Sequence, residues 1–252
     1  MSGHSKWHSI QHKKGANDAK RGKIFTKHAK LITLAARSGG DPDSNPVLRM
    51  EIDRAKAVNT PNINIERAIK KGTGEDKSGA ELMELQYEGY GPAGVAILVD
   101  TLTDNKNRTV TGVRVGFSKN NGNMGESGSV SWMFHRKGII LISGISEEKA
   151  EEIELFAMDL EIEDINFEGD TIEITTDPKV VMSIKDELES SKNPEISVSQ
   201  TEVKMVPENF IEIDTIEDAK KVLHLIEVLE DNDDVSAVHS NASFTDAVMS
   251  QL

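Results

Sequence analysis

The hydrophobic periodicity of the chain changes near residue 75, and this change divides the sequence into two kinds of structure. Up to that point, apolar residues recur at the 3.6-residue spacing of amphipathic helices, whereas later apolar runs are short and alternate with helical stretches. Each apolar sheet face has to be covered by helices or by another sheet. The sequence therefore predicts an α+β fold in which an N-terminal helical bundle precedes α/β structure.

Three helices are predicted in the first part, over residues 18–38, 45–58 and 62–72. Gly39 and Gly40 end the first helix, because glycine readily adopts the backbone conformation found just after a helix C-terminus. Asn45 is the predicted N-cap of the second helix, with Pro46 at the first helical position. The short connections between these helices are typical of a small bundle.

The later part contains two sets of strands and helices. Residues 139–205 are predicted to follow the order β-α-β-β-α-β, which is typical of ferredoxin-like units. The stretches 95–134 and 210–240 are each predicted to form β-α-β, so that together they would complete a second unit of this kind. We therefore expect three domains: a basic helical domain (1–76), a discontinuous α/β domain (77–137 and 207–252) and an inserted, acidic ferredoxin-like α/β domain (138–206).

Charge is distributed very unevenly between these parts. Residues 1–74 contain fifteen basic and six acidic side chains, whereas the whole chain has a net charge of −14. The stretch 138–207 contains five basic and eighteen acidic residues. A basic segment on an acidic body predicts that the basic segment contacts a polyanion, whereas the acidic domain is better suited to contact proteins.

The candidate nucleic-acid-binding residues fall into three groups. The first consists of lysines and arginines of the N-terminal segment, and the second of the aromatic residues Trp7 and His12 in the same segment. The third consists of the two basic residues that follow the strand predicted at 95–99. Together the candidates are Lys6, Trp7, His12, Lys13, Lys14, Lys20, Arg21, Lys23, Lys27, Lys30, Arg37, Lys106 and Arg108. Lysine and arginine neutralise phosphates and release counterions, so the predicted affinity falls steeply with salt. The alternative is that these charges only solvate a helical bundle.

Three of these predictions have a specific alternative. Trp7 could stack on a base or fill an apolar joint. His4, His8 and His12 have the spacing of a helical metal site, but no carboxylate or thiolate lies nearby to complete it, so no metal is predicted. The helix that starts near residue 106 could bind a phosphate through Lys106 and Arg108, or its first amides could simply be capped by Asp104, Asn105 or Asn107.

Several classes of protein are disfavoured by the sequence. It contains no cysteine, which excludes disulfides and thiolate chemistry and fits a reducing cytoplasm. No apolar stretch is long enough to span a membrane. No phosphate loop, dinucleotide fingerprint, nucleophile elbow or zinc-protease motif is present, so we predict neither an enzyme nor a cofactor or small-molecule substrate.

Seven segments occur in a specific order through the first 140 residues. They are 3–7 (GHSKW), 10–14 (IQHKK), 18–23 (DAKRGK), 64–72 (NIERAIKKG), 87–92 (YEGYGP), 102–109 (LTDNKNRT) and 128–130 (GSV). Together they resemble the YebC/PmpR family, which includes the mitochondrial translational activator of cytochrome oxidase. The resemblance implies three domains around an open cleft, one of them an N-terminal helical domain.

The function implied by this resemblance is nucleic-acid-linked control of gene expression. Bacterial members are described as probable transcriptional regulators that bind DNA, while other members look like translation factors that act at the ribosome. Our prediction is therefore a non-enzymatic regulator that binds DNA, with a ribosome-associated factor binding structured ribosomal RNA as the alternative. A protein-interaction module without a nucleic-acid role is the second alternative.

Overall fold

The computed structural model describes residues 18–78, 80–190 and 196–252. The described chain separates into two compact units, one formed by residues 18–134 and 207–252 and the other by residues 135–206. Helices and antiparallel sheets both occur, as an α+β fold requires. No helix in the described ranges is long and apolar enough to cross a membrane.

Three helices open the first unit: α1 (Asp18–Ala35), α2 (Pro46–Ala57) and α3 (Asn62–Gly72). A 3-10 turn, Ala36–Ser38, continues α1. The apolar faces of the three helices share one core. Gly72 permits the close approach of α3 to α1, since a Cβ atom at this position would lie 2.3 Å from the carbonyl oxygen of Thr33. The predicted helices and their order are thus confirmed.

Asn45 connects the end of α1 to the start of α2. Its Oδ1 accepts the backbone N–H of Leu48 at 3.1 Å, as predicted for an N-cap. Its Nδ2 donates to the carbonyl oxygens of Ala35 at 2.9 Å and Gly39 at 2.8 Å. One buried amide therefore satisfies backbone groups at both helix ends.

The first unit also contains a four-stranded antiparallel sheet. Its strands are β1 (Met83–Tyr90), β2 (Ala96–Thr103), β3 (Asn123–Met124) and β9 (Val235–Ser240), in the order β3-β1-β2-β9. Helices α4 (Lys106–Lys119) and α7 (Ile216–Glu230) belong to the same unit. A separate parallel pair is formed by β8 (Ile211–Ile213) and β10 (Ala242–Phe244), and α8 (Asp246–Met249) follows it.

The second unit follows the predicted order of elements. Its strands are β4 (Phe134–Ser143), β5 (Ile162–Glu168), β6 (Thr171–Thr176) and β7 (Gln200–Pro207), and its helices are α5 (Glu147–Ala157) and α6 (Val181–Ser190). The sheet order is β5-β6-β4-β7. Ile140, Ile142, Ile172 and Ile174 are completely buried and form part of its core.

The predicted second strand of the 95–134 stretch, at residues 129–134, is wrong. Residues 129–134 contain a 3-10 turn, Ser131–Met133, because the amides of Val130 and Ser131 donate to the side chain of Glu88 and not to a neighbouring strand. The edge of the sheet is formed instead by the short β3, which pairs with the end of β1. Strand β1 itself was not predicted.

We predict that Asn45→Ala lowers the free energy of unfolding by about 2 kcal/mol, because it leaves buried backbone groups at two helix ends unpaired. Urea unfolding followed by circular dichroism at the helix band measures this change. Ser44→Ala is the control, since among the described residues the Ser44 hydroxyl bonds to Asp41, which is exposed. Equal midpoints for the two variants would contradict this role of Asn45.

Candidate nucleic-acid interface

Asp234 lies between α7 and β9, and its buried carboxylate forms ion pairs with basic side chains of two other helices. Its side chain is only 3% exposed. The Oδ1 atom accepts hydrogen bonds from Nη2 of Arg108 at 2.8 Å and from Nζ of Lys30 at 3.1 Å. The Oδ2 atom accepts from Nε of Arg108 and from Oγ1 of Thr109, both at 2.9 Å. The carboxylate is thus fully hydrogen-bonded, as a buried charge requires.

These contacts determine the charge of Asp234. Burial opposes ionisation, but the hydrogen bonds from Arg108, Lys30 and Thr109 outweigh it and lower the pKa of Asp234 to about 2. The same interaction, together with a 2.9 Å ion pair to Asp104, raises the pKa of Arg108 above its ordinary value. Asp234 and Arg108 are therefore both charged at neutral pH.

Three lysines of α1 donate to backbone carbonyls of the α/β part of the unit. Lys23 and Lys27 bond to the carbonyl oxygens of Asp231 and Glu230, which end α7. Lys30 bonds to the carbonyl oxygens of Asp233 at 2.8 Å and Leu102 at 3.1 Å. Carbonyls at a helix C-terminus lack intrahelical partners and carry partial negative charge, so ammonium groups stabilise them.

The predicted contacts of these lysines with phosphates therefore compete with contacts inside the protein. Burial lowers the pKa of Lys27, although nearby Glu230 and Asp231 raise it in part. Arg37 is similarly engaged, since its Nη2 donates to the carbonyl oxygen of Leu82 at 2.8 Å. These basic side chains connect the helical segment to the α/β part of the unit. The spacing of residues in the sequence could not show these contacts.

The remaining predicted residues have different settings. Lys6, Trp7, His12, Lys13 and Lys14 lie outside the described residues, and Lys20 is part of α1. Arg21 is exposed on α1. At the start of α4, Asn105 caps the helix by accepting the N–H of Arg108 at 3.1 Å, while Lys106 is exposed. Asn105 thus caps this helix as the alternative predicted, and phosphate binding by Lys106 and Arg108 stays a prediction.

The outward face of α3 carries cations that we did not include among the candidate site residues. Arg67 and Lys70 are exposed, and within the described ranges neither side chain forms a hydrogen bond or an ion pair. With Ile63, which is 63% exposed, they follow an i, i+4, i+7 spacing on one side of the helix. The burial of Ile65 and Ala68 on the opposite side fixes this orientation.

A cleft of about 710 Å³ lies beside this face, within the unit of residues 18–134 and 207–252. Arg67 and Lys71 of α3, Lys30 of α1 and Arg108 of α4 line it together with the acidic Asp104, Asp233 and Asp234. Lys30 and Arg108 are held by Asp234 at this cleft, whereas Arg67 is available to an external anion. Further along α4, Arg114 and Lys119 are exposed.

A second buried carboxylate fixes the loop before β4. Glu88 accepts the backbone N–H groups of Gly128, Val130 and Ser131, each at 2.7 Å. Burial opposes the charge of Glu88, but these three bonds outweigh it and lower its pKa. The loop that they hold leads directly to Trp132, whose exposed fraction is 64%.

The fold and these surfaces define an α+β protein that combines a basic helical segment with an acidic α/β body. The chain belongs to the TACO1/YebC family. Residues 5–75 match the family model for the TACO1/YebC protein N-terminal domain, and residues 82–242 match the model for the TACO1/YebC second and third domain.

Relatives and a solved structure agree with this assignment. A "probable transcriptional regulatory protein" of Maridesulfovibrio salexigens is 49% identical, covering 100% of this chain and 99% of its own. A protein of the same name from Natranaerobius thermophilus is 50% identical, covering 99% of both chains. The crystal structure of a conserved hypothetical protein from Aquifex aeolicus has a TM-score of 0.80 and 39% identity, covering 91% of this chain and 93% of its own.

We predict that Asp234→Asn lowers the free energy of unfolding at neutral pH by about 3 kcal/mol, because it leaves two cations without their buried partner. The wild-type carboxyl has a folded-state pKa of about 2, below the ordinary value near 3.9. Its contribution is therefore complete above about pH 5 and is lost as pH falls towards 2. Urea titrations from pH 7 to pH 2 should show the difference between variant and wild type shrinking with acid; a constant difference would contradict the assignment.

We also predict that Lys27→Met lowers the free energy of unfolding by about 1 kcal/mol, because the methionine retains the apolar stem but cannot donate to Glu230. Arg21→Met is the matched control on the same helix, and its expected effect is below about 0.5 kcal/mol because Arg21 is exposed. Thermal denaturation of both variants tests the difference. Equal losses would show that Lys27 contributes only surface charge.

Proposed function

We propose that this protein is a non-enzymatic regulator of gene expression that binds a nucleic-acid backbone through the outward face of α3. The observation that carries this proposal is the contrast between the two basic helices. Lysines of α1 donate to carbonyls of the protein, whereas Arg67 and Lys70 of α3 are exposed. The names of the bacterial relatives, which describe probable transcriptional regulators, support the same class of function.

Phosphate recognition fits the chemistry of this face. Arg67 presents a planar guanidinium that can bind a phosphate through two parallel hydrogen bonds, and Lys70 adds a flexible point charge. Lys106 and Arg114 of α4 are further exposed cations of the same unit. The N-terminal candidates Lys6, Trp7, His12, Lys13 and Lys14 stay predicted contacts of the same polyanion. Such contacts position a protein on a backbone without reading its sequence.

DNA is the primary target that we propose, and structured ribosomal RNA is the alternative. The exposed Trp132 favours the alternative, because unpaired bases of RNA loops stack on aromatic side chains. Glu88 holds the preceding loop in place through hydrogen bonds. Binding through the Trp132 indole would therefore cost little conformational entropy for ordering this loop. A protein-interaction module without a nucleic-acid role would instead show no salt-sensitive affinity for either polymer.

We further propose that the chain has the three-domain arrangement predicted above, in which the inserted α/β domain is ferredoxin-like. The separate family models for an N-terminal domain and for the second and third domains support this division. The sheet order β5-β6-β4-β7 supports a ferredoxin-like inserted domain, since it places the first and third strands of that unit side by side at the centre of the sheet. In the first unit, β1 and β2 form a central hairpin and β8 pairs with β10 outside the four-stranded sheet. In this arrangement the helical domain supplies α3 and its cations.

The decisive test compares two pairs of substitutions with the same change of charge. Arg67→Gln with Lys70→Gln should lower the affinity for nucleic acid and reduce the slope of log affinity against log salt by about two, one unit for each lost phosphate contact. Lys179→Gln with Lys220→Gln is the control, because both lysines are exposed and lie outside the helical segment. Its slope and affinity should equal those of the wild type.

Both pairs are measured by co-sedimentation with ribosomes and by binding to promoter-length DNA, across a salt series of about 50 to 200 mM. Salt-sensitive ribosome association with only weak, sequence-indifferent DNA binding would establish the alternative target. Wild-type protein that binds neither polymer would refute the proposed function. Equal slopes of log affinity against log salt for the two pairs of variants would show that α3 does not contact the nucleic acid.

A further inference from the structure

Two large apolar side chains are largely exposed at the end of α5 in the second unit. Leu155 is 70% exposed and Met158, the C-cap residue, is 75% exposed, while Phe156 beside them is partly exposed. The buried side of the helix is formed by Ala150, Ile153 and Ala157, so these exposed side chains do not belong to the core. We refer to Leu155 and Met158 as the α5 ridge.

Carboxylates surround the α5 ridge. At about 100° per residue, Glu148 and Glu151 lie within roughly 40° of Leu155 around the helix axis, and Asp159 follows the C-cap residue Met158. All three are exposed. They belong to the stretch 138–207, which contains eighteen acidic and only five basic residues. The ridge is therefore an apolar strip inside a strongly negative surface.

We propose that the α5 ridge is the docking site for a basic segment of another protein, in which an aliphatic or aromatic side chain is flanked by lysine or arginine. Apolar surface rimmed by polar residues is typical of protein interaction sites. The acidic rim selects a cationic partner and repels acidic ones, while the flexible side chain of Met158 adapts to the shape of the inserted group. This inference does not depend on the binding of nucleic acid by α3.

The charge of the rim argues against other occupants. Nucleic acids and anionic membrane surfaces would be repelled by the carboxylates. A second copy of the chain that met this ridge with its own ridge would bring one acidic rim against the other. A basic segment of a different protein satisfies both the apolar strip and its rim.

The test uses two synthetic peptides with the same charge. In the first, leucines follow the i, i+3, i+4 and i+7 helical spacing among lysines; in the second, serines replace the leucines. Full-length wild-type protein should bind the leucine peptide at least tenfold more tightly than the serine peptide, as measured by fluorescence anisotropy. Leu155→Ser with Met158→Ser should abolish this preference, because it removes the apolar side chains and leaves every carboxylate in place.

The matched control is Val47→Ser with Val115→Ser, which removes two exposed apolar side chains from the first unit and should keep the preference. Circular dichroism and urea midpoints establish that both double variants are folded. An unchanged preference in the Leu155/Met158 variant would overturn the proposal, as would equal binding of the two peptides to wild type. A concentration-dependent dimer in sedimentation that disappears only in this variant would assign the ridge to a second copy and overturn it as well.

Discussion

The interaction on which the first unit most depends is the burial of one negative charge among cations from distant parts of the chain. Asp234 accepts from Lys30 in α1 and from Arg108 in α4, and its backbone carbonyl accepts the N–H of Leu102 in β2 at 2.8 Å. A buried carboxylate is tolerated only when such partners compensate for its lost hydration. The helical segment, the sheet and α4 are thus connected at a single residue, and replacing its carboxylate leaves Lys30 and Arg108 without this partner.

Lysines Lys23 and Lys27 extend this connection along α7. They replace water at two carbonyl groups that the helix itself cannot satisfy. A basic helix that binds an acidic body in this way uses its positive charge internally, so the density of lysines in a sequence overstates the charge available to a polyanion. The positively charged, hydrogen-bond-donating ammonium group allows lysine to bind either a phosphate or the carbonyl groups at a helix C-terminus. Which of the two it binds depends on which acceptor is nearer.

Part of the fold was predictable because its signals are local. Asn45 and Pro46 define a helix start through contacts within a few residues, and the hairpin of β5 and β6 joins neighbouring stretches of chain. The alternation of apolar and polar residues in β1 is a strand signal of the same local kind, but it is weaker than the continuous apolar run of β2. The predicted strand at residues 129–134 failed for a non-local reason, since the carboxylate of Glu88 takes the amides that a neighbouring strand would need.

The sequence by itself determined the helical N-terminal segment, the order of elements in the second unit, the separation of basic and acidic residues, and the family. Each follows from spacing, capping or composition, which act over short distances along the chain. The tertiary structure alone decided which basic side chains form bonds within the protein and which are exposed to solvent. Lys27 and its acceptor are 203 residues apart, and Arg108 and Asp234 are 126 apart, so no local pattern encodes these partners. Ionic and hydrogen-bonding partners are chosen by distance in space, and only the packed fold establishes that distance.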